Sequence, residues 1–178
     1  MRIAKLIVLV LLALAVLVVG IGAFLPKDFH VERSIEIDAS PEVVFDLVNS
    51  LRKWEAWSPW IARDPSIENT YAGPEAGVEA TVTWTSEKSG EGTQTITLSE
   101  RPTRIETVLN LGEMGEPSAY WTFEPVGDGV RVTWSLNGTA SGPLGGYFAK
   151  MMDGWVGADY EDGLERLKKV AEALPPAE

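Results

Sequence analysis

The chain has 178 residues, of which 45% are hydrophobic and 23% charged, a composition typical of one globular domain with a short additional segment. It contains no cysteine, which excludes disulfides, thiolate nucleophiles and cysteine metal ligands. The single histidine, His30, lies beside the apolar N-terminal segment. A His-rich metal site and a histidine-based catalytic triad within this chain are therefore excluded as well.

The charge balance limits the kinds of binding partner expected for the domain that follows residue 30. The net charge is −11, and residues 1–30 contain three basic side chains and one acidic one. The rest of the chain therefore has 12 basic and 25 acidic residues, a net charge of −13. An acidic domain without a basic cluster is not expected to bind nucleic acid or to dock electrostatically onto anionic lipid.

An apolar segment precedes the domain. Residues 6–25 carry no charged side chain, and about 20 apolar residues are enough to cross a bilayer core. Arg2 and Lys5 come before this segment, which predicts a single-pass anchor with a cytoplasmic N-terminus and the domain on the outer, periplasmic or extracellular side. The predicted division is a transmembrane anchor at 1–27, a folded domain at 28–174 and a short tail at 175–178.

A cleaved signal peptide is the alternative reading of the apolar segment. Gly20, Gly22 and Ala23 provide small residues where a signal peptidase would cut. The segment is longer than a usual signal core and contains no clean Ala-x-Ala, so we interpret it as an uncleaved anchor.

The domain begins with one strand and two short helices. Apolar and polar residues alternate over 29–38, which predicts a strand. Ser40 is placed to cap a helix, with Pro41 at its first position, and a second short helical segment covers 51–56. Three tryptophans follow within seven residues, and an intervening proline prevents one continuous helix there. These are Trp54, Trp57 and Trp60.

The central part of the chain shows alternation and turns but no helical periodicity. Short turns between consecutive strands predict an antiparallel sheet in mostly meander order, with one apolar face that must be covered. Gly127-Asp128-Gly129 is a hairpin signal between the last two strands. The predicted strands are 67–71, 78–85, 92–100, 105–111, 120–125 and 130–136.

A long helix over 142–173 is the predicted cover of that face. Ser141 is a plausible N-cap, and Pro175 and Pro176 end the helix. Large apolar residues spaced three or four apart indicate one apolar face. They are Leu144, Phe148, Met151, Met152, Trp155, Val156, Tyr160, Leu164, Leu167 and Val170. Glycines at 154, 157 and 163 predict either close approach of the sheet or space left for a guest.

In this order of elements the chain resembles the START-like superfamily, and within it bacterial SRPBCC domains of the polyketide cyclase/dehydrase or lipid-transport type. The resemblance covers about residues 30–172. It rests on RSIEI at 33–37 with ASPEVVF at 39–45, WEAWSPW at 54–60, YAGPEAG at 71–77, TFEP at 122–125 with RVTW at 131–134, and GLERLK at 163–168.

The resemblance implies an α+β helix-grip fold. In that fold a curved antiparallel sheet of about seven strands wraps around a long C-terminal helix, and two short helices follow the first strand. It also implies an apolar cavity between sheet and helix, and neither a metal nor a tightly bound cofactor. Proteins of this superfamily include carriers, sensors and a few enzymes.

The first functional hypothesis is a membrane-tethered binding module for a hydrophobic small molecule or lipid. Such sites are mostly apolar, with a few polar groups that fix the orientation of the ligand. The candidate lining residues are Trp54, Trp57, Trp60, Trp84, Leu109, Tyr120, Trp134, Phe148, Met152 and Trp155.

Two alternatives belong to other classes. A cyclase or aromatase acting on a polyketide-like substrate would need a buried acid or base, for which Asp153 and Asp159 are the candidates. Six residues apart, they lie about 120° from eclipsing on a helix and form no obvious dyad. A structural or interaction protein of the cell envelope is the third hypothesis, and a fully packed interior would favour it.

Overall fold

The computed structural model describes residues 2–175, so the end of the predicted tail, including Pro176, lies outside the described residues. The helices are α1 (Arg2–Phe24), α2 (Pro41–Val48), α3 (Pro59–Arg63) and α4 (Gly145–Glu172), with 3-10 turns at Leu51–Ala56 and Gly112–Met114. The strands are β1 (Asp28–Ile37), β2 (Glu68–Ala72), β3 (Thr81–Ser86), β4 (Gly90–Glu100), β5 (Arg104–Asn110), β6 (Ser118–Val126) and β7 (Gly129–Thr139).

The seven strands form one antiparallel sheet in the order β1-β7-β6-β5-β4-β3-β2. Every connection after β2 joins neighbours, whereas β1 pairs with β7 at the far edge. Side chains alternate between the two faces of the sheet, and one face packs against α2, α4 and the 3-10 turn at Leu51–Ala56, hereafter the 3-10 turn. The buried row Val31, Leu136 and Ala119 lies on this face. The α+β helix-grip fold expected from the sequence is confirmed.

The short helices follow their capping residues. Ser40 Oγ accepts from the Val43 amide at 3.5 Å, and Pro41 occupies the first turn as expected. The same serine-proline pattern recurs at Ser58 and Pro59, where Ser58 Oγ accepts from the Ile61 amide at 3.4 Å. That second cap starts α3, a third short segment beyond the two that the sequence predicts.

The strand predicted from Val78 begins instead at Thr81. Glu79 has a φ of 72°, a left-handed conformation that no strand residue adopts, and Val78 is 48% exposed. The alternating pattern of 78–85 therefore includes a turn at Val78 and Glu79, and the strand itself starts two residues later.

Two expectations about α4 are wrong. The helix begins at Gly145 with Leu144 at the cap position, so Ser141 does not cap it. The large apolar residues also do not share one face. Tyr160, Leu164 and Leu167 are buried against the sheet, whereas four near the start of the helix are exposed. The exposed four are Leu144, Phe148, Met151 and Trp155.

Candidate functional site

Six aromatic rings, which we call the aromatic cluster, occupy the space between the sheet and α4. They come from five separate elements: the 3-10 turn and the residue after it, α3, β6, β7 and α4. The cluster consists of Trp54, Trp57, Trp60, Trp121, Trp134 and Tyr160.

The rings of the aromatic cluster are in direct contact. Trp134 lies in the middle, stacked on Trp121 with ring centroids 4.2 Å apart and on Tyr160 at 3.6 Å. Trp57 meets Trp121 and Trp134 edge-on at 5.8 and 6.1 Å, and Trp54 meets the same two rings at 5.7 and 5.9 Å. Such offset and edge-to-face pairs add about 0.5–1.5 kcal/mol each beyond the area they bury.

The indole N–H groups of the cluster fall into two classes. Trp54 Nε1 donates to the Val48 carbonyl at 2.9 Å, and Trp60 Nε1 donates to Asp159 Oδ2 at 3.0 Å. The indole N–H groups of three other tryptophans are buried and find no acceptor among residues 2–175. Those three are Trp57, Trp121 and Trp134. A buried donor without a partner costs roughly 1–3 kcal/mol, so this arrangement requires an explanation.

Of the three α4 glycines that the sequence analysis singled out, two allow close approach and one does not. A Cβ on Gly163 would lie 2.9 Å from Trp134 Cζ3, so only hydrogen fits beneath the stacked ring. A Cβ on Gly157 would lie 2.1 Å from Arg33 Nη2, so the guanidinium rests directly on the helix backbone. Gly154 has open space where its Cβ would be.

Both carboxylates considered as acid–base candidates are paired with arginines. Asp153 Oδ1 accepts from Arg33 Nη1 at 2.9 Å, and this hydrogen bond lowers the pKa of the Asp153 carboxyl. Asp159 Oδ1 lies 2.7 Å from Arg63 Nη2, while its other oxygen holds Trp60. For Asp153 the lowered pKa is the opposite of the raised pKa that a general acid near neutral pH requires.

A buried carboxylate that the sequence did not single out is Asp64, which is 4% exposed. Its oxygens accept from the hydroxyls of Ser66 and Ser86 at 2.5 Å and of Ser89 at 2.7 Å. These three hydrogen bonds hold the pKa of Asp64 well below its usual range. The group ties the end of α3 to the turn between β3 and β4, which is a structural role.

An open groove of about 800 Å³ lies at the end of the sheet next to α1. It is formed by the first residues of β1 and β6, the last residues of β7, and the loop between β5 and β6. Apolar and polar side chains both line it, among them Phe29, His30, Met114, Tyr120 and Asn137. Neither Asp153 nor Asp159 lines this groove.

The ten predicted lining residues do not meet around one space. Trp54, Trp57, Trp60 and Trp134 belong to the aromatic cluster, while Trp84 and Leu109 are half-buried further along the same face of the sheet. On α4, Met152 is half-buried, but Phe148 and Trp155 are exposed. Tyr120 points to the other face of the sheet, where it lines the groove.

Trp121 is the residue that the sequence reasoning missed. Ala119, Trp121 and Phe123 are buried in β6, whereas Ser118, Tyr120 and Thr122 alternate with them on the other face. Ser118 and Thr122, the polar residues two positions before and after Tyr120, were the available signal that Tyr120 shares their face and Trp121 points to the core. Tyr160 was assigned to the core but not to a site. Within the described residues, no three His, Asp or Glu side chains are placed to hold a metal ion.

The apolar N-terminal helix packs against the beginning of α4. Among the described residues, α1 is the one helix long and apolar enough to cross a bilayer, and it is almost entirely exposed. Tyr147 Oη donates to the Val18 carbonyl at 3.1 Å. A Cβ added to Gly22 would lie 2.6 Å from the Pro143 carbonyl oxygen, and one added to Gly146 2.3 Å from Leu25 Cβ. Length and composition alone suit both an anchor and a signal sequence.

The antiparallel sheet closed by one long C-terminal helix defines a START-like protein with the helix-grip fold. The chain belongs to the family described as polyketide cyclase/dehydrase and lipid transport, whose model matches residues 28–172. Membership of this family supports a START-like ligand-binding or cyclase role. No curated protein matches the sequence.

Several solved structures share the fold at low sequence identity. Protein TTHA0849 from Thermus thermophilus is 20% identical with a TM-score of 0.61, covering 81% of this chain and 97% of that one. Ara h 8.0201 is 13% identical with a TM-score of 0.61, covering 83% and 99%. The di-domain ARO/CYC protein BexL from the BE-7585A biosynthetic pathway is 16% identical with a TM-score of 0.60, covering 84% of this chain and 52% of its own.

Proposed function

We propose that this protein is a membrane-tethered binding module for a hydrophobic small molecule or lipid, with the aromatic cluster as the interior surface that meets the ligand. The observation that carries the proposal is the set of three buried indole N–H groups without an acceptor, those of Trp57, Trp121 and Trp134. Apolar ligand sites contain a few polar groups of this kind, which fix the orientation of the ligand.

The free energy favours an occupant that brings an acceptor. Three unpaired donors cost roughly 3–9 kcal/mol together, at about 1–3 kcal/mol each. A ligand with a carbonyl, carboxyl or ether oxygen recovers part of this when its oxygen reaches an indole N–H. The apolar remainder of the ligand gains about 25 cal/mol for every Å² removed from water. Entry requires the rings to separate, because they are now in contact.

The membrane tether supports the same proposal. Only three residues separate the end of α1 at Phe24 from the start of β1 at Asp28, so the connection spans at most about 14 Å. This end of the sheet therefore stays close to the bilayer when α1 crosses it, within reach of a hydrophobic ligand held there. With a cytoplasmic N-terminus, the domain stands on the outer side of the membrane.

The test is native mass spectrometry of the full-length chain released from detergent micelles, before and after delipidation, with stearic acid and phosphatidylethanolamine as added probes. We expect retained mass at the start and saturable uptake of at least one probe afterwards. Trp121→Phe removes a free N–H and should weaken retention about 2- to 10-fold, the equivalent of one hydrogen bond of roughly 0.5–1.5 kcal/mol.

Trp54→Phe is the matched control, because its N–H already donates to the Val48 carbonyl and is not available to a ligand. Equal losses in the two variants would mean that the free N–H has no part in binding. A chain that never carries or takes up either probe would contradict the proposal.

A structural or interaction role in the cell envelope is the second candidate. The contacts among the rings of the aromatic cluster favour it, because a packed interior stabilises the domain without any guest. The same experiment separates the two, since this role predicts no retained or acquired mass.

A further inference from the structure

Four exposed residues form an apolar stripe along the first half of α4 and its cap residue. The stripe consists of Leu144, Phe148, Met151 and Trp155, which are 39%, 49%, 47% and 51% exposed. At about 100° per residue they lie within roughly 60° of one another around the helix. Tyr160, Leu164 and Leu167 occupy the opposite side and are buried. The stripe therefore lies outside the core cluster of the domain.

The start of α4 lies beside the C-terminal part of the apolar N-terminal helix α1. Tyr147 reaches the carbonyl of Val18, which is six residues or about 9 Å before the end of α1 at Phe24. A Cβ on Gly22 would also meet the Tyr147 ring at 2.8 Å. A bilayer that surrounds α1 up to its end must therefore also surround the Tyr147 side chain.

From this contact, α4 runs beside β1 and away from α1. A Cβ on Gly145 would lie 3.4 Å from Lys27 Cδ, while further along Lys168 Nζ donates to the Glu36 carbonyl at 2.7 Å. Leu144 and Phe148 are thus the members of the stripe nearest to the bilayer, and Trp155 is the farthest. The rise from Leu144 to Phe148 is about 6 Å, similar to the roughly 5–8 Å thickness of one headgroup layer.

Charge is distributed as a lipid-facing surface requires. No acidic residue occurs between 129 and 152, although the chain contains 26 of them. The one charged residue within 140–152 is Lys150, whose long stem can carry its ammonium group to the headgroups. The one carboxylate within 144–155, Asp153, lies on the other side of the helix and is paired with Arg33. A protein partner for an otherwise acidic domain would be expected to offer basic groups, and the stripe itself has no carboxylate to receive them.

We propose that the apolar stripe lies in the outer-leaflet interface of the bilayer, as a second membrane contact beside α1. It fixes the orientation of the domain on the lipid surface. Aromatic side chains such as Phe148 and Trp155 suit that layer, because it is apolar on one side and hydrated on the other. This inference rests on the membrane tether of the proposed function and not on the identity of the ligand.

Spin labelling tests the position of the stripe. The chain has no cysteine, so one introduced cysteine is the sole labelling site. Full-length Val10→Cys, Phe148→Cys, Trp155→Cys and Glu165→Cys variants are labelled and reconstituted into phosphatidylcholine vesicles. The ratio of oxygen to nickel-chelate accessibility then measures depth. Glu165 is the control on α4, exposed but far from α1.

We expect the highest ratio at position 10, a severalfold higher ratio at 148 than at 165, and an intermediate value at 155. A label at 148 as accessible to the nickel chelate as the one at 165, with position 10 still in the bilayer, overturns the inference and leaves the tether intact. A water-exposed label at position 10 overturns the tether and this inference together. Met151→Cys replaces Phe148→Cys if that variant does not fold.

Discussion

Replacing three interior glycines of α4 by alanine, one at a time, measures how tightly the helix packs. In a helix interior, alanine is favoured over glycine by about 0.5–1 kcal/mol. This gain is common to Gly154, Gly157 and Gly163, so the differences among the variants report only what the added methyl group meets.

The structure predicts three different results. Gly154→Ala meets open space and should stabilise the domain by the full 0.5–1 kcal/mol, about 1–4 °C in Tm for a domain of this size. Gly163→Ala meets the Trp134 ring, which is stacked between Trp121 and Tyr160 and can shift only by disturbing both neighbours. Overpacking costs about 1–3 kcal/mol, so the net effect is a loss of up to roughly 2.5 kcal/mol.

Gly157→Ala places a methyl group against a flexible side chain, that of Arg33. The methyl group displaces the Arg33 guanidinium, whose partners Asp153 and Glu161 have largely exposed side chains. Each such ion pair is worth about 0.2–1 kcal/mol, which nearly cancels the helix-propensity gain. We therefore expect a change within about 1 kcal/mol of zero.

The assay is thermal and urea unfolding of the full-length chain in detergent micelles, followed by circular dichroism, with the order of stability Gly154→Ala above Gly157→Ala above Gly163→Ala. A Gly154→Ala variant that is less stable than the parent would refute the reading of that glycine as unpacked. A Gly163→Ala variant at least as stable as the parent would refute the predicted overpacking, because it would show that the Trp134 ring shifts at little cost.

Three further predictions concern single side chains. Tyr160→Ala should cost about 3–5 kcal/mol in unfolding free energy because it removes a buried ring stacked on Trp134, whereas Tyr160→Phe should change it by less than about 1 kcal/mol. Equal losses would mean that the hydroxyl and not the stack stabilises the domain. Asp159→Asn keeps an acceptor for Trp60 but loses the ion pair with Arg63; we expect a loss of about 0.5–1 kcal/mol that shrinks in high salt, and a salt-independent loss would contradict this. Since hydrogen bonds lower the folded-state pKa of Asp64, its stabilisation is complete above the ordinary aspartate pKa of about 3.9 and is lost as the pH falls through the folded value. Asp64→Asn should thus reduce the loss of stability on acidification below about pH 4. The control Asp128→Asn, in the exposed β6–β7 turn, should lose stability over that range as the parent does.

Local patterns in the sequence determined most of the fold. The serine-proline start of α2, the alternation of the strands and the hairpin glycines fix their elements through short-range sterics and hydrogen bonds, so these predictions are confirmed. The same cap at Ser58 could have revealed α3. The limits of α4 and β3 were harder, because a helix cap at Ser141 and a strand at Val78 satisfy the local pattern equally well before the backbone conformation is known.

Only the tertiary structure decided which residues share a space. Spacing of three or four along α4 suggested one apolar face, but the phase drifts with length, so that Phe148 and Tyr160 lie about 120° apart around the helix. Tyr120 and Trp121 are neighbours in β6 and therefore point to opposite faces of the sheet, Tyr120 towards the groove and Trp121 into the aromatic cluster. The arginine pairs of Asp153 and Asp159, and the unpaired indole N–H groups, depend on residues distant in sequence that meet only after folding. Composition and periodicity report what one element needs to bury, whereas the folded chain determines what is buried against it.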